Sequence, residues 1–98
     1  MSATPEKPVH EQVRDELERL NPEALTADGL DEALIGVLVR PGRPAVACYD
    51  RGKCLDILEQ DMEGEDAAGE ALEYFEFNVI GAYVGESTPV FADIRWDR

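Results

Sequence analysis

Val13, Leu17 and Leu20 recur at i, i+4 and i+7, and Glu11, Arg14, Asp15, Glu18 and Arg19 fill the positions between them. That spacing predicts an amphipathic helix. Asn21-Pro22 ends it, because the residue before proline is pushed out of the α region and Asn21 can cap a short turn that Pro22 begins. Leu30, Leu34, Val37 and Leu38 again fall at helical spacing behind Asp28, which predicts a second helix capped by Asp28 and reaching Arg40. Pro41-Gly42-Arg43-Pro44 is a turn, and Ala45 to Tyr49 reads as a short strand with both faces covered. Asp50 is placed to cap a third helix with Leu55, Leu58 and Met62 as its buried stripe, closed by Gly64.

A fourth helix is expected from Glu65 and Asp66, acids that suit the positive end of the helix dipole. Ala68, Ala71, Leu72, Phe75 and Val79 would form its inner face. Gly81 and Gly85 bracket a turn, and Thr88 to Trp96 alternates as a strand with Val90, Ala92, Ile94 and Trp96 on one side. The expected fold class is α+β, with about four helices packed around a minimal sheet of two short, paired strands. Residues 1–9, with two prolines and no apolar periodicity, are expected to be a disordered tail, and residues 10–98 a single compact domain.

Composition narrows the function. At 98 residues, 44% hydrophobic and 32% charged, the chain is globular in character despite a net charge of −13. The acids are unevenly placed: from Cys54 to Ile94, forty-one residues contain no Lys, Arg or His and eleven carboxylates. Such a surface repels nucleic acid and anionic membrane and attracts basic protein grooves. No apolar run approaches the roughly 20 residues of a membrane span, and Met1 to Val9 lack the apolar stretch of a signal peptide, so a soluble, cytoplasmic protein is expected.

Cys48 and Cys54, six residues apart, fit no zinc spacing and no disulfide framework; each is read as a small buried hydrophobe in a reducing compartment. His10, the sole histidine, falls close to the expected tail. Asp61-x-Glu63-Gly64-Glu65-Asp66 has a superficial likeness to a calcium loop, but its glycine is at the fourth position rather than the sixth and the twelfth position is Leu72. No catalytic residue, metal site or cofactor is therefore expected.

Asp66, Glu70 and Glu73 stand at i, i+4 and i+7, with Glu76 one turn further and Asp61, Glu63 and Glu65 just before. On a helix rising 1.5 Å per residue this makes a row of carboxylates about 5 Å apart, resembling a strand of phosphates, and no lysine relieves their mutual repulsion. The row is either the solvated face of an acidic helix or a partner-binding face. Paired carboxylates working as acid and base would need a pocket that separates their pKa values, which an outer helical face does not provide. Within Glu73 to Glu86, Phe75 and Val79 read as core, whereas Tyr74 and Phe77 point elsewhere, and Asn78 is expected to bond the turn at Gly81. Tyr74, Phe77 and Tyr83 either dock a helix end on a strand or form an exposed aromatic patch for partner anchoring or self-association.

Tyr49-Asp50-x-x-Lys53-Cys54-Leu55-x-Ile57-Leu58, followed by Glu73-Tyr74-Phe75-x-Phe77-Asn78-Val79-x-Gly81-Ala82-Tyr83-Val84-Gly85-Glu86-x-Thr88-Pro89-Val90-Phe91, resembles a group of short proteins of unassigned function found in phages, prophages and their bacterial hosts. The resemblance covers residues 45 to 92 and carries no catalytic residue. It implies a mobile-element context, in which small acidic proteins often look like inhibitors of host defence, of the anti-CRISPR or anti-restriction type, acting as DNA mimics in the host cytoplasm. The expected function is thus a non-enzymatic inhibitor that binds the basic groove of a host nucleic-acid-binding complex. Asp61, Glu63, Glu65, Asp66, Glu70, Glu73, Glu76, Tyr74 and Phe77 would form its partner-binding face. Neither nucleic acid nor membrane would be bound directly. The alternative is a structural or regulatory module that self-associates, as a homodimer, through its aromatic segment and sheet edge.

Overall fold

The computed structural model describes residues 7–83 and 85–94. Residues 1–6, most of the expected disordered tail, lie outside the described residues, as does Trp96 at the end of the expected last strand. Helix α1 spans Val9–Leu20 and therefore begins within the stretch assigned to the tail. Pro8 precedes it, its carbonyl accepting from the Glu11 and Gln12 N–H groups at 2.9 and 3.1 Å. Val13 and Leu17 are its buried positions; Leu20, the third member of the periodic set, is exposed.

The second helix does not form. Asp31–Ala33 makes one 3-10 turn, and Leu34–Arg40 is strand β1, paired antiparallel with β2, Arg43–Asp50. Leu34, Val37 and Leu38 match a helical period, but Ile35, Val37 and Val39 are β-branched at alternate positions and Gly36 costs roughly 1 kcal/mol in a helix interior. Pro41-Gly42 then supplies a two-residue turn with Gly42 at φ 72°, so pairing with the apolar β2 overrides the periodicity. Asp28, the expected cap, caps no helix; Leu30 occupies the position before the 3-10 turn.

Strand β2 is central, as its apolar run on both faces required: Ala45, Val46, Ala47 and Tyr49 are all buried. Asp50 ends it and caps helix α2, Arg51–Gln60, its Oδ1 accepting from the Lys53 N–H at 3.2 Å. The buried side of α2 is Cys54, with Leu55, Ile57 and Leu58 packed against the core; Met62 falls beyond the helix and is only half-buried. Gly64, at φ 110°, reverses the chain, and helix α3 spans Ala67–Tyr74 from an Asp66 cap position, two residues shorter at its start than the acids suggested.

A π turn, Phe75–Val79, and a 3-10 turn, Ile80–Ala82, continue α3. The Ile80 N–H donates to the Phe75 carbonyl, five residues back. The buried stripe is Ala71, Phe75 and Val79, while Ala68 and Leu72 are exposed. A four-residue step overshoots one turn of a 3.6-residue helix and falls short of one in the wider i→i+5 turn. The two drifts cancel, which keeps all three side chains on one line. Strand β3, Val90–Ala92, pairs parallel with β2, giving the order β1-β2-β3 with α2 and α3 as the crossover.

The class is α+β, with three α-helices and three strands among the described residues rather than four and two. In β3 the core residue is Phe91, on the opposite side from Val90 and Ala92: its ring stacks on Tyr49 at 5.2 Å and meets Phe75 edge-on at 5.1 Å. Loop 21–30 is pinned to this core by side chains. The Ala27 N–H donates to the Tyr49 hydroxyl at 2.7 Å, the Tyr83 hydroxyl to the Thr26 carbonyl at 3.2 Å, and the Asn21 amide to the Ala45 carbonyl at 2.8 Å.

Candidate acidic and aromatic face

The fold separates the charges of the two halves of the chain. Lys7 pairs with Asp15 at 2.6 Å, Arg14 with Asp31 and Arg19 with Glu16, so three N-terminal cations are held by N-terminal acids. The hydrogen bond that Arg14 donates to Asp31 is the main reason its guanidinium lies above its ordinary pKa, and the bond from Arg19 lowers Glu16 in the same way. Such solvent-screened surface pairs stabilise the fold little. Their larger effect here is that these cations are occupied. Arg40 donates to the Pro44 and Glu86 carbonyls rather than to a carboxylate, and Arg51 lies over the Phe75 ring and reaches Asp93 at 3.6 Å.

Asp93 is thus the one member of the eleven-carboxylate stretch that pairs with a described cation. The other ten, Asp56 to Glu86, form no ion pair among the described residues. All nine residues expected at a partner-binding face are exposed. Asp66, Glu70, Glu73 and Glu76 line one open groove with Phe77, running along α3 into the π turn. Gly69 lies at its floor with the Asp66 carboxylate folded over it, so close that a Cβ there would stand 2.5 Å from Oδ2. Glu70, Glu73, Tyr74 and Phe77 also line a second shallow concavity of roughly 550 Å³, completed by Met62 and Asn78.

The structure does not bring the whole expected set together. Glu63 and Glu65, on the turn between α2 and α3, line neither groove, and Asp61 lines a separate cavity with Tyr74. The aromatics divide as well: Phe77 is 73% exposed and Tyr74 45%, but Tyr83 is half-buried and hydrogen-bonded, which removes it from any exposed patch. Asn78, expected to bond the Gly81 turn, makes no side-chain hydrogen bond among the described residues and faces the grooves instead. Met62 and Asn78 were missed as groove residues because neither a methionine nor an asparagine beside a helix carries a sequence signal for one.

Asp50 is committed to capping α2, whereas Glu73 and Asn78 share a groove that it does not line. Among the described residues no three His, Cys, Asp or Glu side chains gather closely enough to hold a metal ion. Both cysteines are free thiols; burial, and secondarily the Asp50 charge, pushes Cys54 up to about 12, and the half-buried Cys48 is raised for the same reasons. His10 sits half-buried on α1. No described helix is long and apolar enough to cross a membrane. No protein-family model, no curated protein and no solved structure matches the chain.

Proposed function

We propose that the protein is a non-catalytic binding protein whose α3 face occupies a basic, nucleic-acid-binding groove on a partner. The resemblance to phage proteins points to a host defence complex of the anti-CRISPR or anti-restriction type as that partner. One observation carries the reading: four carboxylates without a described cationic partner, Asp66, Glu70, Glu73 and Glu76, line one groove with Phe77, a large apolar ring at 73% exposure. A purely solvated face would gain nothing from an exposed phenylalanine. A competing face gains steering from its acids and an anchor from the ring, the division of labour expected of charged interfaces with an aromatic hot spot.

The test is displacement of labelled DNA or RNA from a purified host nuclease complex at two salt concentrations. Displacement that weakens as salt rises, and that the double variant Glu70→Lys/Glu73→Lys abolishes, supports the reading. Undiminished displacement by that variant refutes the assigned face. A second reading rests on β1, an edge strand of the described sheet on which Ile35, Leu38 and Val39 are exposed, Val39 at 70%. Long apolar edges invite pairing with another copy. A dimer in sedimentation that persists at high salt and dissociates in Val39→Lys favours this module over the competitor.

A further inference from the structure

A half-open cavity of about 370 Å³ adjoins the second concavity, sharing Tyr74 and Asn78 with it, and is bordered by three segments distant in sequence. Loop 27–30 forms one wall, the end of α2 the second, and the α3–π junction with Tyr83 the third. Ala27, Leu30, Leu58 and Val79 contribute apolar walls to a mixed, largely polar lining, and its volume falls within the range of small-ligand sites. Gly29, at φ 84°, lets the loop turn so that Ala27 and Leu30 are buried while Asp28 stays exposed at the cavity. Asp61 stands across from that loop as the C-terminal cap residue of α2.

From these features we infer that the cavity is a binding site for an alkylguanidinium, the chemistry of an arginine side chain. Four features select it. Asp28 and Asp61 supply two carboxylates; no lining group is a cation or forms an ion pair with a described one, and Asp28 lies within electrostatic reach of Arg14 without pairing with it. The C-terminus of α2 adds the negative end of its dipole, and no basic residue in its last turn offsets it. Tyr74 and Tyr83 offer aromatic faces, on which guanidinium stacks well. The apolar walls take the alkyl stem. Asp28 also contributes, after burial, to holding the Tyr83 hydroxyl above its ordinary pKa, which sets this carboxylate and this ring within electrostatic reach of each other.

The inference is distinct from the α3 competitor reading, since a small cation suffices to fill the site and the groove carboxylates Asp66, Glu70, Glu73 and Glu76 do not line it, while Tyr74 and Asn78 border both. The guanidinium belongs either to a free small molecule or to the side chain of a partner, and the probes distinguish the two. Agmatine, the blocked tripeptide Gly-Arg-Gly and the neutral control n-butylurea are titrated into the 15N-labelled protein at constant ionic strength. Agmatine is expected to give saturable amide shifts at Ala27, Gly29, Asn78 and Tyr83, with a roughly millimolar dissociation constant for so small a ligand. Tighter binding of the tripeptide identifies a partner's arginine as the source, and equal or weaker binding a free small molecule. Asp61→Asn and Asp28→Asn, both at exposed positions, should each weaken agmatine at least about fivefold, while Glu59→Gln on the outer side of α2 leaves it unchanged. The site is overturned if n-butylurea binds as well as agmatine, if Glu59→Gln weakens binding as much as Asp61→Asn, or if the shifts follow the α3 carboxylates instead.

Discussion

Replacing Tyr49 with phenylalanine removes one oxygen from the middle of the protein and leaves the ring, its stacking on Phe91 and the strand pairing in place. That oxygen accepts the Ala27 N–H at 2.7 Å, in a site where Tyr49 is fully buried and Ala27 only 2% exposed. Without it the amide has no acceptor and no water, a situation that costs about 1–3 kcal/mol. Part is returned because a buried hydroxyl no longer has to be desolvated, so a net loss of about 1.5 kcal/mol is expected. For a domain of this size, at about 4–8 °C per kcal/mol, that lowers Tm by roughly 6–12 °C. Urea unfolding should show a lower midpoint with the same slope, and amide exchange should accelerate at Ala27 beyond the global change. A loss below about 0.5 kcal/mol with Ala27 still protected would mean that water reaches the loop, and the claim that Tyr49 seals it would be wrong.

Gly69→Ala should stabilise α3 by about 0.5–1 kcal/mol in thermal unfolding, because the only atoms in the way belong to the exposed Asp66 carboxylate, which can swing aside; a loss of stability would show that carboxylate to be fixed. Cys48, half-buried, should react with a thiol reagent before fully buried Cys54, whose modification should wait for unfolding. The Cys54 thiol pKa is raised from 9.0 to about 12, so the folded protein holds a proton that the unfolded chain releases; its contribution is complete below pH 9 and declines as pH rises towards 12. Denaturation midpoints that rise across that window would contradict the assignment. Raising sodium chloride from about 0.05 to 0.5 M should increase stability, since it screens ten unpaired acids against three exposed pairs in the N-terminal half, and an unchanged midpoint would show that repulsion on the acidic face is negligible.

Elements specified by nearby residues were legible in the sequence. Helix α1, strand β2 and the Asp50 cap follow from local periodicity, a two-faced apolar run and one side chain three residues from its donor. Strand β1 was not legible as a strand because Leu34, Val37 and Leu38 satisfy a helical period by coincidence, and only pairing across Pro41-Gly42 decides between the two. Phe91 as the core residue of β3 depends on a parallel neighbour 42 residues away, Tyr49, which no local pattern announces. The exposure of the acids could be read from composition and spacing, whereas that of Phe77 stood as one of two open readings and the division between Tyr74 and Tyr83 turns on a hydrogen bond to Thr26 across the fold. The cavity at Asp28 and Asp61 could not be read at all, since three segments have to assemble before it exists.

The parallel pairing of β2 with β3 has a bearing on how the chain reaches its native state. β1 and β2 meet through a two-residue turn and α1 joins them through residues 21–33, but β3 docks only after residues 51–89 have been folded back across the sheet, and that segment holds the ten unpaired acids. Closing so long an excursion is slow on entropic grounds, and here it must also compress like charges. The last strand to arrive is therefore held back by the same carboxylates that mark the finished surface, and electrolyte concentration acts as a throttle on the completion of folding.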